Sequence, residues 1–87
     1  MNQTVEERQE IIEEFRLHEK DNGSPEVQIA LATDRINKLT EHMKEHPQDH
    51  NSRRGLRRLV EKRRSLLEYL LENDEERYKE IVSKLDL

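Results

Sequence analysis

Apolar residues recur along this chain at intervals of three and four positions, which places them on one face of an α-helix. Four such segments predict helices near residues 4–16, 25–45, 50–72 and 74–85. The second segment has the most regular stripe, made of Ile29, Ala32, Ile36, Leu39 and Met43. A regular stripe of this kind indicates that two long helices pack against each other. We therefore predict an all-α domain over residues 1–87, with helices 2 and 3 as a long antiparallel hairpin and shorter outer helices 1 and 4.

Residues that cap helices stand at the predicted boundaries. Side chains that accept from the first backbone N–H groups of a helix favour its start. The predicted caps are Thr4 with Glu7 three residues on, Ser24 followed by Pro25, and Asn73 with Glu76 three residues on. On the third helix the apolar pattern predicts burial of Leu56, Leu59, Val60, Leu67, Leu70 and Leu71. The expected core comprises Ile29, Ile36, Leu39, Leu59, Leu67, Leu70 and Ile81, with Tyr78 in the stripe of the last helix.

Composition excludes several classes of protein. Hydrophobic residues make up 31% and charged residues 41%, a balance close to that of disordered chains, but the regular apolar spacing favours a folded domain. The chain has no cysteine, so it has neither disulfides nor thiolate metal sites. No apolar run approaches the ~20 residues of a membrane span, and the N-terminal residues do not resemble a signal peptide. We therefore expect a soluble, cytoplasmic protein with no membrane partner.

Positive charge is concentrated in one part of an otherwise acidic chain. The protein has 16 Lys/Arg, 20 Asp/Glu and a net charge of −4. Seven Lys/Arg and one Glu nevertheless fall between Asn51 and Arg64. Helical spacing places Arg53, Arg57 and Arg64 on one side of this segment, with only Glu61 nearby to offset them. Basic segments are often solvated faces paired with acids, but this one is compact enough to predict an anionic partner.

The residues around this basic segment resemble a known family, small-subunit ribosomal protein fifteen. The resemblance covers essentially the whole chain without a gap and is carried by DNGSPEVQ at 21–28, HMKEHPQDHNSRRGL at 42–56, KRRSLLEYL at 62–70 and ERY at 76–78. It implies a four-helix, non-enzymatic ribosomal protein without a cofactor, a monomer when free. It further implies direct binding to a three-way junction of small-subunit ribosomal RNA, early in assembly of the platform. Neighbouring ribosomal proteins and the large subunit are further candidate partners, and binding to the protein's own messenger RNA is an open question at this point.

The resemblance also implies which residues contact RNA. Its loop part maps to His42, Asp49 and Ser52, which read the shallow groove of an RNA helix, and its junction part to Asn22, Gly23, Gln28, Arg35 and Tyr69. Neighbouring candidates are His46, His50, Arg53, Arg54, Arg57, Arg58 and Arg64. This chain departs from the family pattern at three places: Asn22 where Thr is frequent, Leu71-Glu72 where basic residues are usual, and an acidic C-terminal end. The departures predict weaker electrostatic attraction to RNA than is usual in the family.

The chemistry of these residue types supports the resemblance independently. An A-form RNA helix displays 2′-hydroxyls and base edges in a wide, shallow minor groove. Short His, Asp and Ser side chains on a firm loop donate to and accept from such groups, while arginines bind nearby phosphates. Gly55 inside the third helix costs about 1 kcal/mol relative to Ala, which indicates close approach of another helix or of an RNA backbone.

Two other functions fit parts of the sequence. The first is metal binding, since His42 and His46 have the i, i+4 spacing of a helical ligand pair and Asp49 and His50 follow closely. The glutamate of an HExxH metalloprotease is absent, because position 43 is Met. The second is a protein-interaction module, in which the acidic outer helices meet a basic partner.

Overall fold

The computed structural model describes residues 3–17 and 23–87, and within these two ranges the regular structure consists of four helices and no strand. Helix α1 comprises Val5–Phe15, α2 Pro25–Glu45, α3 His50–Asn73 and α4 Glu75–Leu85. The all-α prediction is therefore confirmed, and the predicted helix ends differ from these bounds by at most one residue. In the described part of the chain, no helix combines the length and apolarity needed to cross a membrane.

Helices α2 and α3 form the predicted hairpin and share the most extensive helix–helix interface. Two side-chain contacts show that these helices are antiparallel. The first joins His42, near the end of α2, to Asp49, the residue just before α3. Midway along the hairpin, Arg63 Nη1 donates to Thr33 Oγ1 at 3.3 Å. At 1.5 Å per residue, the 24 residues of α3 extend about 36 Å. That length accounts for most of the 39 Å long dimension of the molecule.

The main buried cluster lies at the N-terminal end of α2, where all four helices contribute residues. Phe15 of α1, Val27 of α2, Leu70 of α3 and Ile81 of α4 belong to one buried cluster. Helix α1 packs on α2, and α4 packs on both α3 and α2. Helix α2 is therefore covered on most sides, whereas the loop that joins α2 to α3 lies at the far end of the hairpin, beyond the four-helix core.

Fewer apolar residues of α3 are buried than its sequence pattern predicts. Leu70 is fully buried, but Leu56, Leu59 and Leu67 are only half-buried. Val60 and Leu71 are 41% and 48% exposed, so the prediction that they are buried was wrong. The apolar stripe of α3 is wider than the surface that α2 and the short α4 cover, and its edges remain in solvent.

The predicted caps are correct at two helices and wrong at one. Thr4 and Glu7 form a capping box at α1, and Ser24 Oγ accepts from the Val27 N–H at 3.3 Å at α2. At α4 the cap is Asp74, not Asn73, and its Oδ1 accepts from the Arg77 N–H at 3.3 Å. Asn73 remains the last residue of α3, and its side-chain amide donates to the Tyr69 carbonyl at 2.8 Å.

Polar contacts hold α1 on the surface of α2. Lys38 on α2 donates to Glu7 and lies 3.1 Å from Asp34. Ahead of α1, Gln3 Nε2 donates to the Leu31 carbonyl at 2.8 Å. Hydrogen bonds from Lys38 and Thr4 lower the pKa of Glu7 from 4.5 to about 2, so Glu7 stays ionised and paired well below neutral pH.

Candidate nucleic-acid interface

The loop at the far end of the hairpin is organised by one carboxylate. Asp49 is the N-cap of α3, and its Oδ1 accepts from the Ser52 N–H at 3.0 Å. Its own N–H donates to the His46 carbonyl at 3.1 Å, which closes the turn after α2. The four-helix core lies at the other end of the hairpin, so the conformation of the loop depends on hydrogen bonds such as these.

Asp49 also joins the three residues predicted to read an RNA groove. Its Oδ2 accepts from His42 Nε2 at 2.8 Å and from Ser52 Oγ at 2.6 Å. Hydrogen bonds from Ser52 and then from His42 lower the pKa of Asp49 well below its usual range. Because an ionised carboxylate only accepts, His42 carries a proton on Nε2 and donates it to Asp49. The three side chains thus form a single hydrogen-bonded group.

The two histidines near this group, His46 and His50, do not complete a metal site with His42. The His46 ring lies 4.7 Å from the His42 ring at a tilt of 36°, as in a ring–ring contact. His50 is exposed in the first turn of α3, and His42 Nε2 already binds Asp49. Among residues 3–17 and 23–87, no three His, Cys, Asp or Glu residues are placed to hold a metal ion.

The first four arginines of the basic segment fall into two groups. The first two are fixed at the loop, because Arg53 Nη2 donates to the Pro47 carbonyl and Arg54 Nη2 to Asn51 Oδ1, both at 2.6 Å. In contrast, Arg57 and Arg58 are exposed and make no ion pair within the described part of the chain. Their guanidinium groups are therefore oriented toward solvent and available to an anionic ligand.

The positive charge of Arg64 is offset by an acid that the sequence analysis did not single out. Its Nε lies 3.2 Å from Glu68 Oε1, an exposed pair one helical turn apart. The nearby acid expected from the sequence was Glu61, which makes no ion pair among the described residues. An exposed pair of this kind is weak and exchanges readily for a phosphate.

Helix packing gives no reason for the glycine in the first turns of α3. A Cβ atom added at Gly55 would meet nothing within 4 Å, so no other helix approaches it, contrary to one of the two expectations. Gly55 follows Ser52 by three residues and therefore lies on the same face of α3. The other expectation, close approach of an RNA backbone, would place the RNA against this face of α3.

Three of the predicted junction residues lie together. Gln28 Nε2 donates to the Gly23 carbonyl at 2.6 Å, and both residues line a cavity of about 240 Å³ with Arg35. Tyr69 does not line this cavity; it is 54% exposed on α3. Asn22 lies outside the described residues.

Two charged residues also line this cavity and were not singled out from the sequence. They are Arg8 of α1 and Lys62 of α3. Lys62 lies within the basic segment, so the sequence marked it as a candidate for binding anions. The sequence did not indicate that its side chain lines a cavity with residues of α2. Arg8 is far from the other residues in sequence, and only the packing of α1 on α2 brings it there.

Comparison with known proteins identifies the family. A family model described as Ribosomal protein S15 matches residues 8–87. The chain is 60% identical over 82 residues to the small ribosomal subunit protein uS15 of Caldanaerobacter subterraneus subsp. tengcongensis, which covers 94% of this chain and 93% of that protein. It is 61% identical over 84 residues to the uS15 protein of Carboxydothermus hydrogenoformans, covering 97% and 94%. It is also 57% identical over 84 residues to that of Dictyoglomus thermophilum, with the same coverage. The chain therefore belongs to the ribosomal protein S15 family, whose members are non-enzymatic proteins of the small ribosomal subunit.

Proposed function

We propose that this protein is a structural component of the small ribosomal subunit that binds a three-way junction of ribosomal RNA, and the helix beside it, early in assembly of the platform. The observation that carries this proposal is the group formed by His42, Asp49 and Ser52 directly ahead of exposed arginines. Membership of the ribosomal protein S15 family supports it.

The loop would read the shallow groove of the RNA helix through His42 and Ser52. Asp49 fixes the direction of each, because it accepts the Nε2 proton of the ring and the proton of the hydroxyl. A hydroxyl whose proton is directed inward meets the RNA as an acceptor, suited to a guanine amino group or a 2′-hydroxyl. Asp49 is then a positioning residue that acts through its two neighbours.

Phosphate binding would come from the arginines that follow. Arg57 and Arg58 lie one to two turns beyond Ser52 on α3 and have no acid partner among the described residues. Guanidinium groups in this position bind phosphate oxygens in pairs and set the register of the protein on the RNA. Groove reading is thus assigned to His42 and Ser52, and phosphate binding to Arg57 and Arg58.

The second contact would be made by Gly23, Gln28 and Arg35, together with Tyr69. The exposed Tyr69 ring offers a flat surface on which an unpaired junction nucleotide stacks. The acidic outer helices suit contacts with basic neighbouring ribosomal proteins, since α1 and α4 each have two glutamates in the first turn. Binding to the protein's own messenger RNA would use the same RNA surface.

Replacing Asp49 with Asn tests the loop. Asn is as good an N-cap as Asp and keeps the shape, so α3 should still start at the same place. The neutral amide accepts more weakly and also presents donors, so His42 and Ser52 lose their common anchor. We expect about tenfold weaker binding to the cognate RNA helix, measured by mobility shift at fixed salt. Binding to unrelated RNA should stay equal or tighten, because one negative charge is lost.

The matched control is Glu45→Gln, which removes a negative charge from an exposed residue at the end of α2. Bulk electrostatics predicts that both variants bind all RNA slightly more tightly. Groove reading predicts that only Asp49→Asn weakens cognate binding. Tighter cognate binding by Asp49→Asn would show that this carboxylate repels the RNA and would contradict the proposal.

Gly55→Ala separates folding from RNA binding on the same face of α3. The free protein should gain about 0.5–1 kcal/mol of unfolding free energy, because Ala is the better helix former and the space is open. Cognate RNA binding should nevertheless weaken if the RNA backbone lies against this face. Denaturant unfolding and mobility shift on one preparation give both values; a more stable variant with unchanged affinity would remove Gly55 from the interface.

A further inference from the structure

A cavity between three helices brings together three positively charged side chains. The cavity has a volume of about 240 Å³ and is lined by Arg8 of α1, Arg35 of α2 and Lys62 of α3. Gln28 contributes a side-chain amide at one edge, where its Nε2 donates to the Gly23 carbonyl. The rest of the lining is aliphatic and comprises Leu31, Ala32 and Leu59.

These three cations have no counter-charge in the described structure. Two other cations that lie between helices have acid partners, since Lys38 is paired with Glu7 and Arg77 with Glu26. Within residues 3–17 and 23–87, Arg8, Arg35 and Lys62 make no ion pair, and no carboxylate lines the cavity. The Arg8 side chain donates from Nη1 to a neutral group, the Gln3 amide oxygen, at 3.3 Å.

Like charges that converge on one cavity repel each other unless an anion binds among them. Two guanidinium groups and one ammonium supply many donors and no acceptor, which suits the tetrahedral, doubly accepting oxygens of a phosphate. The cavity also adjoins Gly23 and Gln28, which places it at the proposed junction contact. The ligand is therefore expected to be a phosphate group of the RNA backbone.

We infer that Arg8, Arg35 and Lys62 together bind one phosphodiester group of the RNA junction, and that α1 is thereby a part of the RNA-binding surface. This inference rests on the proposed function. It adds Arg8 and Lys62 as binding residues and has a mechanical consequence. Because one phosphate then contacts α1, α2 and α3, RNA binding fixes α1 on the hairpin more firmly than the Lys38–Glu7 contact alone.

The test compares Arg8→Gln and Lys62→Gln with Lys79→Gln, a matched control that removes one positive charge from an exposed residue of α4. Each variant is titrated with two RNAs: the three-way junction with its adjacent helix, and the adjacent helix alone. Arg8→Gln and Lys62→Gln should each bind the junction RNA about tenfold more weakly than Lys79→Gln does. Each should also reduce the salt slope for that RNA by about 1. With the helix alone, all three variants should behave alike.

Hydrogen exchange gives a second readout that bulk charge does not move. Junction RNA should protect the α1 amides of the wild-type protein, and Arg8→Gln should lose that added protection while the Lys79→Gln control keeps it. Protection of α1 by inorganic phosphate without RNA, at the same level, would mark a free-anion site and overturn the assignment to RNA.

The outcomes separate this inference from the proposed function. If the wild-type protein binds neither RNA specifically, the proposed function fails. If it binds both, but Arg8→Gln and Lys62→Gln match Lys79→Gln throughout, the function stands and the phosphate pocket is refuted.

Discussion

Leu70→Ala is expected to lower the free energy of unfolding by about 2–5 kcal/mol, the range for truncating a fully buried leucine. The Leu70 side chain has 0% exposure and lies in the cluster where the four helices meet. Its loss leaves a cavity that α2 and α4 cannot both close, because each is fixed by other contacts to the core. For a domain of 87 residues, such a loss corresponds to a fall in melting temperature on the order of 10 °C or more.

Leu59→Ala is the matched comparison on the same helix. Leu59 is only half-buried and lies away from that cluster, so its truncation should cost about 1–2 kcal/mol. Urea unfolding followed by circular dichroism at 222 nm, a general helix signal, measures both variants. Equal losses would mean that the two leucines share one core; a wild-type midpoint for Leu70→Ala would refute the packing at the four-helix end.

Local signals account for how well the helices could be predicted. The capping box of Thr4 and Glu7 and the Ser24-Pro25 start of α2 each act within one helical turn. Such contacts depend only on neighbouring residues, so their spacing is visible in the sequence. The choice between Asn73 and Asp74 was harder because both are good caps, and the decision depends on where α3 stops.

Contacts across long sequence separations could not be predicted in the same way. The apolar stripe of α3 shows which residues could be buried, but not which part of that stripe α2 and α4 cover. Val60 and Leu71 therefore looked like core residues and are exposed. For the same reason, Arg8 could not be assigned to the cavity that Lys62 lines, since its position depends on how α1 packs.

At the candidate site, the sequence indicated which residues come together but not how they are arranged. Spacing and resemblance indicated that His42, Asp49 and Ser52 act together, and the structure brings them into one hydrogen-bonded group. Their assignment to RNA stays a prediction. What the sequence did not indicate is that Asp49 is both the N-cap of α3 and the acceptor for the other two. The sequence had suggested direct readout by Asp49, whereas the geometry favours an orienting role.

The second large effect is expected from Arg77→Met, which should cost about 2–4 kcal/mol. Arg77 Nε and Nη2 donate to the two carboxylate oxygens of Glu26, at 2.6 and 2.5 Å. The Glu26 side chain is only 9% exposed, so removing its partner leaves a buried charge without compensation. The Arg77 side chain is 34% exposed, which lets water reach the carboxylate and places the estimate below the usual cost for a fully buried pair.

Lys79→Met provides the control on the same helix. Lys79 and Glu75 are 3.6 Å apart and well exposed, so loss of that pair should change stability by less than about 0.5 kcal/mol. The double variant Glu26→Gln/Arg77→Met should recover much of the loss, because no charge is then buried. Recovery would identify the unpaired carboxylate as the cause, whereas a double variant at least as unstable as Arg77→Met would show that the pair itself attaches α4 to α2. If Arg77→Met instead matched Lys79→Met, the Glu26 carboxylate would have to be solvated in the folded protein, in contradiction to its burial at the start of α2.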